Sequence, residues 1–438
     1  MNKFYDVIII GGGTAGCATA YIAGELGLKV LLIEKGIHLG GTMTSGLVVP
    51  VMKSGNHQIN TDFYNILVEE MHKVGGQITY QDNSGWFNPE LMKIVLDKMM
   101  KDVSVDVRYN AEVKDVKTDG KYVLSLETNK EILSVYNEKV DTDNNLEKYK
   151  PLSVYIGAKY FVDATGNCDF SNNINCKFLE MKSEYQPMSL RFLMSGIVIE
   201  KFGKWLLEKD TDRNVTTVEN IDGVTHLSTA YTWDTYKQWA LAPFFDKAVK
   251  EGLLKDSDRN YFQVFTVAGM PSTLAFNCPR IPENLNPNLV KDTSKALIEG
   301  REAIYRLSLF CKKYFPGFEN AYISNIADFL GVRVSNRLKG KYVYTIDDLK
   351  SGKKFEHPAL ISNYPVDVHN KSKNTSTLEQ TGEYQLPIES LMSYDYDNLF
   401  VVGRGISADY MAQGALRVQA SCFSMGEAVA KYIKNQLS

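Results

Sequence analysis

The stretch Asp6–Gly41, DVIIIGGGTAGCATAYIAGELGLKVLLIEKGIHLGG, decides the fold. Val7 to Ile10 is a short, wholly apolar, β-branched run, the pattern of a central strand in a parallel sheet whose two faces are both covered. Gly11-Gly12-Gly13-Thr14-Ala15-Gly16 follows and fits G-x-G-x-x-G. Gly11 permits the tight turn, Gly13 lets backbone approach a pyrophosphate, and Gly16 lets the next helix pack closely on the strand. Cys17 to Leu26 continues that helix with small residues, and Gly27 ends it. The free N–H groups of its first turn, with the helix dipole behind them, point at the phosphates. Lys29 to Ile33 is a second strand ending at Glu34, about 20 residues past the glycines, where a carboxylate accepts hydrogen bonds from both hydroxyls of an adenosine ribose and disfavours a 2′-phosphate. Glycines alone are weak evidence; strand, glycines, helix, strand and acid in order specify dinucleotide binding.

Lys35 to Gly46 reads KGIHLGGTMTSG, with a second glycine turn at Gly40-Gly41-Thr42. The fingerprint, Glu34-Lys35 and this turn together resemble the FAD-dependent oxidoreductases of the glutathione-reductase-like superfamily. The resemblance implies FAD as cofactor and an α/β, Rossmann-like FAD-binding domain with a parallel central sheet. It also places Thr14, Ala15, Lys35 and Thr42 beside the nucleotide. Ala111-Glu112-Val113 matches the segment that in such proteins brings backbone against adenine, so Val113 is a candidate contact. Asp163-Ala164-Thr165-Gly166, closing an apolar strand from Ala158, resembles the turn set beside the pyrophosphate and ribose. Near the C-terminus, Leu399 to Val402 is another strand and Gly403-Arg404-Gly405 its turn. Gln413-Gly414-Ala415-Leu416 is then expected to open a long helix through Gly426 to Ile433. By resemblance the backbone N–H groups of Gly414, Ala415 and Leu416 face the flavin's N1–C2=O edge, where they would stabilise negative charge. Arg404 departs from the pattern, since many relatives carry an acid there near the ribityl chain; an arginine suits the pyrophosphate or the reduced flavin. The cofactor domain is therefore discontinuous, residues 1–168 and 388–438. By the same resemblance an inserted α+β substrate domain with a mainly antiparallel sheet is expected over 169–387.

At 438 residues the chain can bury a substantial core, and its net charge of −3 offers no basic field for nucleic acid. The N-terminus has neither the charged start of a signal peptide nor the length of a membrane span, giving a cytoplasmic reading without integral membrane association. Six cysteines lack C-x-x-C spacing and six histidines lack metal-ligand spacing, so neither a disulfide framework nor a metal site is proposed. Cys17 stands in the first turn of the dinucleotide helix, where packing is preferred over reactivity.

Phe63, Ile66, Leu67 and Met71 recur at helical spacing over Asn60 to Lys73. Asn88 caps a helix from Pro89, with Leu91, Ile94, Val95, Leu96 and Met99 as its buried face. Lys130 to Lys150, polar and Asn-rich, reads as a hairpin tip or insertion. Aromatic residues crowd between Tyr231 and Phe265, including Trp233, Tyr236, Trp239, Phe244, Phe245, Tyr261 and Phe262; packing explains such a cluster more often than a ligand pocket.

Arg280, Arg333, Arg337 and His369 are the candidate catalytic residues. A guanidinium orients an anionic or carbonyl substrate bidentately, and a histidine moves the proton that accompanies hydride transfer. Each has a plainer alternative: Arg333 and Arg337 as surface ion pairs, His369 as a turn residue. The fingerprint, Asn277-Cys278-Pro279-Arg280, the Gly331–Gly340 block and Tyr364–His369 resemble bacterial FAD-dependent oxidoreductases over nearly the whole chain. The expected activity is hydride exchange with a small organic substrate. With one glycine fingerprint only, a diffusing electron donor or acceptor completes the cycle. A flavin monooxygenase using NAD(P)H and oxygen is the enzymatic alternative, and a flavin-binding sensor or scaffold the non-catalytic one.

Overall fold

The computed structural model describes residues 4–52, 58–133, 152–181, 185–232, 239–259, 261–281, 284–369, 376–379 and 381–438. Most of the polar Lys130–Lys150 stretch, together with Trp233 and Tyr236, lies outside them.

The opening run forms the strand Phe4–Ile10, the helix Thr14–Glu25 and the strand Val30–Ile33. Parallel neighbours run in the order Asp106–Arg108, Val30–Ile33, Phe4–Ile10 and the return strand Leu152–Asp163. The far edge of the return strand is shared by two partners. Its first half pairs antiparallel with Tyr122–Leu133, which continues to Val113–Asp119, and its last three residues pair parallel with Leu399–Val401. The β-branched run is buried on both faces, as its lack of alternation required. Val7 and Ile9 join the core containing the first helix, whereas Ile8 and Ile10 pack with Phe161, Phe170 and Leu338 on the opposite side.

The small residues of the first helix serve close packing. A methyl group at Gly16 would lie 1.9 Å from Gly11 O, and one at Gly426 on the C-terminal helix would lie 2.4 Å from Ala15 O. The helix Asp62–Lys73 buries Phe63, Leu67 and Met71 as expected. Asn88 Oδ1 accepts from Glu90 N and Leu91 N at 2.9 and 3.2 Å, capping Pro89–Asp102. Its inner face differs from expectation. Met92 and Met100 are buried beside Val95, Leu96 and Met99, while Ile94 is 65% exposed, because the stripe is centred one residue further round the helix.

Between the return strand and Leu399, a six-stranded antiparallel sheet runs in the order Thr216–Ile221, Val224–Thr232, Tyr261–Val267, Met270–Phe276, Phe192–Ser195 and Tyr322–Ile326. The helix Val290–Tyr314 supplies Phe310, which meets Phe245 at 4.3 Å between ring centroids, and Trp239 and Phe276 also flank Phe262. Trp239, Phe245 and Phe262 are therefore core, and Tyr261, also buried, meets Arg280 and His369 as well. The C-terminal segment forms two helices, Tyr410–Leu416 and Gln419–Leu437, instead of one opening at Gln413. Asp409 caps the first, and Val418 is extended between them. No helix among the described residues is long and apolar enough to cross a membrane.

Candidate active site

The glycine loop is enclosed by the segments predicted to serve it. Ala164 N donates to Ile10 O at 2.7 Å, and a methyl group at Gly11 would lie 2.6 Å from Ala164 O. Gly40 N donates to Gly12 O at 2.8 Å, bringing the second glycine turn over the first, and the Thr14 and Thr42 hydroxyls meet at 3.1 Å. Gly13 differs from its neighbours: a methyl group there would meet only Ala164 O, at 4.0 Å, leaving room for a phosphate to approach. Glu34 is held by Gly12 N on Oε2 at 2.7 Å and Gly36 N on Oε1 at 2.6 Å. Ala111 N donates to Glu34 O, placing the half-buried Val113 segment alongside. Lys35 reaches outward to Asp169 at 3.7 Å.

Asp163 supports the Ala164-Thr165-Gly166 turn by accepting from the backbone and hydroxyl of both Thr165 and Ser171 at 2.6–3.0 Å. Arg404 lies against Gly166 and donates to Asn167 Oδ1 at 2.7 Å. It has no ion pair among the described residues, and its Nε is buried without a hydrogen-bond partner, an unspent cation suited to a phosphate. Gly403, at φ +84°, rests 3.7 Å from Ala15 Cβ. These features fit a dinucleotide with phosphates at the glycine loop and a ribose at Glu34. Cys17 donates to Gly12 O at 3.1 Å, and burial pushes its thiol up to about 12, so packing is its role.

A second cluster forms where the strands Val366–His369 and Tyr261–Val267 meet the C-terminal segment. Arg280 Nη2 lies 2.7 Å from His369 Nδ1, and the guanidinium stacks 3.9 Å from the centroid of Tyr261. His369 Nε2 faces Asp367 Oδ1 at 3.4 Å, and Arg417 Nη2 pairs with Asp367 Oδ2 at 3.2 Å. Arg333 Nη1 donates to Pro187 O at 2.6 Å, and Arg191 Nε to Asn277 Oδ1 at 2.6 Å. An arginine can only donate, so Nδ1 of His369 must accept and its imidazole is neutral. Burial, and next the Arg333 charge, push the histidine's pKa well below its ordinary value in agreement. Asp367 is held far below the usual carboxylate range by its partners His369 and Arg417, against the opposing effect of its own burial.

Three of the four predicted side chains, Arg280, Arg333 and His369, are thus gathered and buried. Arg337 is not with them: it donates to Ala408 O at 2.8 Å and Glu180 O at 3.3 Å, clamping two chain segments. Asp367, Arg191 and Arg417 complete the cluster without having been singled out, and Tyr261, named only among the crowded aromatics, joins them. Asp367 is two residues from His369 on one strand, so its side chain falls on the same face, a signal available in the sequence. The helix expected to open at Gln413 needs correction. Gly414 lies in the last turn of Tyr410–Leu416, where helical bonding uses its N–H, and a methyl group there would lie 2.7 Å from Val368 Cγ2 and 3.1 Å from Asp367 O. Ala415 and Leu416 are buried with it. Gln413 Nε2 reaches both Arg333 O and Arg404 O, at 3.0 and 3.2 Å, joining the two halves of the site.

A glycine-loop fold with an acid at the end of its second strand, and a buried polar cluster tied through Gln413 to the Arg404 turn, defines a nucleotide-binding protein of the enzyme type. The chain belongs to the FAD dependent oxidoreductase family, which it matches over residues 6–436. That family is named for FAD, and the glycine loop, Glu34 and Arg404 fit such a dinucleotide. It is 31% identical over 121 residues to thioredoxin reductase of Bacillus subtilis, covering 27% of this chain and 38% of that protein. To vinyl phenol reductase of Lactiplantibacillus plantarum it is 40% identical over 70 residues, 15% of this chain and 14% of the relative. These matches span well under half of the relatives' lengths. A geranylgeranyl bacteriochlorophyll reductase-like structure from Thermoplasma acidophilum superposes with a TM-score of 0.48 at 13% identity, over 100% of this chain and 79% of that one.

Proposed function

We propose that this enzyme exchanges a hydride between FAD and a small organic substrate held among Tyr261, Arg280, Arg333 and His369, by dehydrogenation or double-bond reduction. What supports this most is the contact of the buried cluster with the C-terminal cofactor segment: Gly414 packs on Asp367 and Val368, Gln413 spans Arg333 and Arg404, and Arg417 pairs with Asp367. Bound FAD supplies the hydride chemistry at its ring nitrogen N5. The glycines Gly11, Gly13 and Gly16 and the Ala164–Gly166 turn hold its pyrophosphate with Arg404, and Glu34 holds its ribose. Residues 1–168 and 388–438 form the cofactor domain, and 169–387 the substrate domain.

Arg280 orients the substrate. In dehydrogenation His369 accepts the substrate's proton at Nδ1, the atom that Arg280 engages before substrate arrives, so substrate must first draw the guanidinium away; in double-bond reduction the same atom delivers to the substrate a proton taken up from solvent. Asp367 fixes the other ring nitrogen and so the tautomer. Arg333 is anchored by Pro187 O and sets the field around the imidazole. A diffusing donor or acceptor restores the cofactor.

The test is anaerobic spectroscopy of the holoenzyme, oxidised and photoreduced, against acids, amines, sugars and enones. At least one class should bleach or restore the flavin absorbance; inertness toward all of them removes this reading. Oxygen uptake dependent on both NAD(P)H and substrate would identify a monooxygenase instead.

A further inference from the structure

We infer that Arg191, Arg280, Arg333 and Arg417 form a binding site for an organic carboxylate. Resting on the hydride-transfer reading, that carboxylate belongs to the substrate.

The charge balance argues for an anion. Asp367 is the one carboxylate in ion-pair contact with the cluster among the described residues, and Arg417 and His369 already engage it. Arg191 and Arg333 have neutral partners, the side chain of Asn277 and the carbonyl of Pro187. Arg333 is buried and Arg191 half-buried, and a cation withdrawn from water without a counter-charge is destabilising unless something negative completes the site. Burial pulls Arg191 down to about 10, and burial with the neighbouring Arg280 and Arg417 charges pulls Arg333 well below its ordinary value.

Unspent donors argue for the same occupant. Arg280 is only 6% exposed, yet its Nε and Nη1 have no hydrogen-bond partner. Arg417 Nε and the buried Gln186 Nε2 are likewise unpartnered, although Gln186 Oε1 accepts from His369 N at 3.1 Å. The face of Tyr261 attracts the Arg280 cation but leaves Nε and Nη1 without an acceptor. Planar guanidinium groups match a planar oxyanion with two acceptor oxygens better than a spherical halide.

The cofactor's own phosphates do not account for these arginines. Gly11–Gly16 is enclosed by Glu34, Gly41 and Ala164, with Arg404 at the adjoining Gly166 turn. Arg191, Arg280 and Arg333 come instead from the segments around the antiparallel sheet.

The test titrates oxidised holoenzyme calorimetrically with succinate and benzoate, their neutral amides, and sodium chloride and bromide. Expected is saturable binding of at least one carboxylate and not its amide, weakened about tenfold or more in Arg280→Met at unchanged FAD content and circular dichroism. Should that variant not fold, Arg191→Met is expected to weaken binding in the same direction. Failure of both carboxylates, binding that ignores both substitutions, or halides binding as tightly as carboxylates would overturn the inference. Binding with a flavin inert to every donor and acceptor would instead sink the hydride reading and leave the carboxylate site standing.

Discussion

Glu34 carries two backbone N–H groups before any nucleotide arrives. Glu34→Ala would remove the ribose acceptor and orphan Gly12 N and Gly36 N. At about 1.5–3 kcal/mol for a hydrogen bond to a charged group, FAD affinity should fall roughly 10- to 100-fold, as read by fluorescence titration of apoprotein. His369 gives a pH prediction. Its folded pKa is depressed, so as pH falls below about 6.5 the unfolded chain takes up the proton first. Its stabilising contribution is whole above that pH and declines toward the folded value. The urea midpoint of His369→Gln should therefore lose less than the parent's between about pH 7 and pH 5; His226, also depressed by burial, remains in both proteins. Glu34 was legible because its meaning lies in local order. The cluster was only half legible, since Arg280 and His369 meet across 89 residues of sequence, and no spacing distinguishes Arg333, which joins them, from Arg337, which does not.

The elements most readable from sequence were those with a cap or a strict period. Asn88 and Pro89 announced their helix, and Asn88→Ala should cost about 1 kcal/mol of stability in denaturant unfolding. The C-terminal helices were misjudged because Gly414 suggests an N-terminal approach to a ligand, whereas its missing side chain makes room for the strand Val366–His369. Gly414→Ala separates those roles. Pushing Val368 and Asp367 aside should cost about 1–3 kcal/mol and lower turnover while FAD stays bound; loss of FAD with the strand undisturbed would favour the flavin-contact reading.

Across the whole molecule, the first and last helices cross with almost no side chain between them at Gly426 and Ala15. Gly426→Val should lower the thermal midpoint and release FAD together, since the same crossing seats the first turn of the glycine loop. Glu427, fully buried, adds a tie by accepting from Phe63 N and Lys431 Nζ. The parallel sheet was foreseeable from strand patterns, and the antiparallel sheet from the family resemblance. Which distant segments would close over the arginines was not, because that depends on packing between elements whose sequences carry no mark of each other.

Leu399–Val401 takes the last place on the return strand, beside Phe161–Asp163, about 240 residues after that edge is made. At ordinary synthesis rates the edge stands open for on the order of 10–50 s. An unpaired strand edge is a template for wrong partners, so the nascent protein passes through an interval of exposure that the finished one does not have. On the proposal that Arg404 holds the pyrophosphate, cofactor loading waits for the same event, since Gly403 and Arg404 follow directly on that strand. Ribosome-bound chains arrested before Leu399 emerges should retain no FAD, and those released at full length should, making the last tenth of the chain the timer for flavin capture.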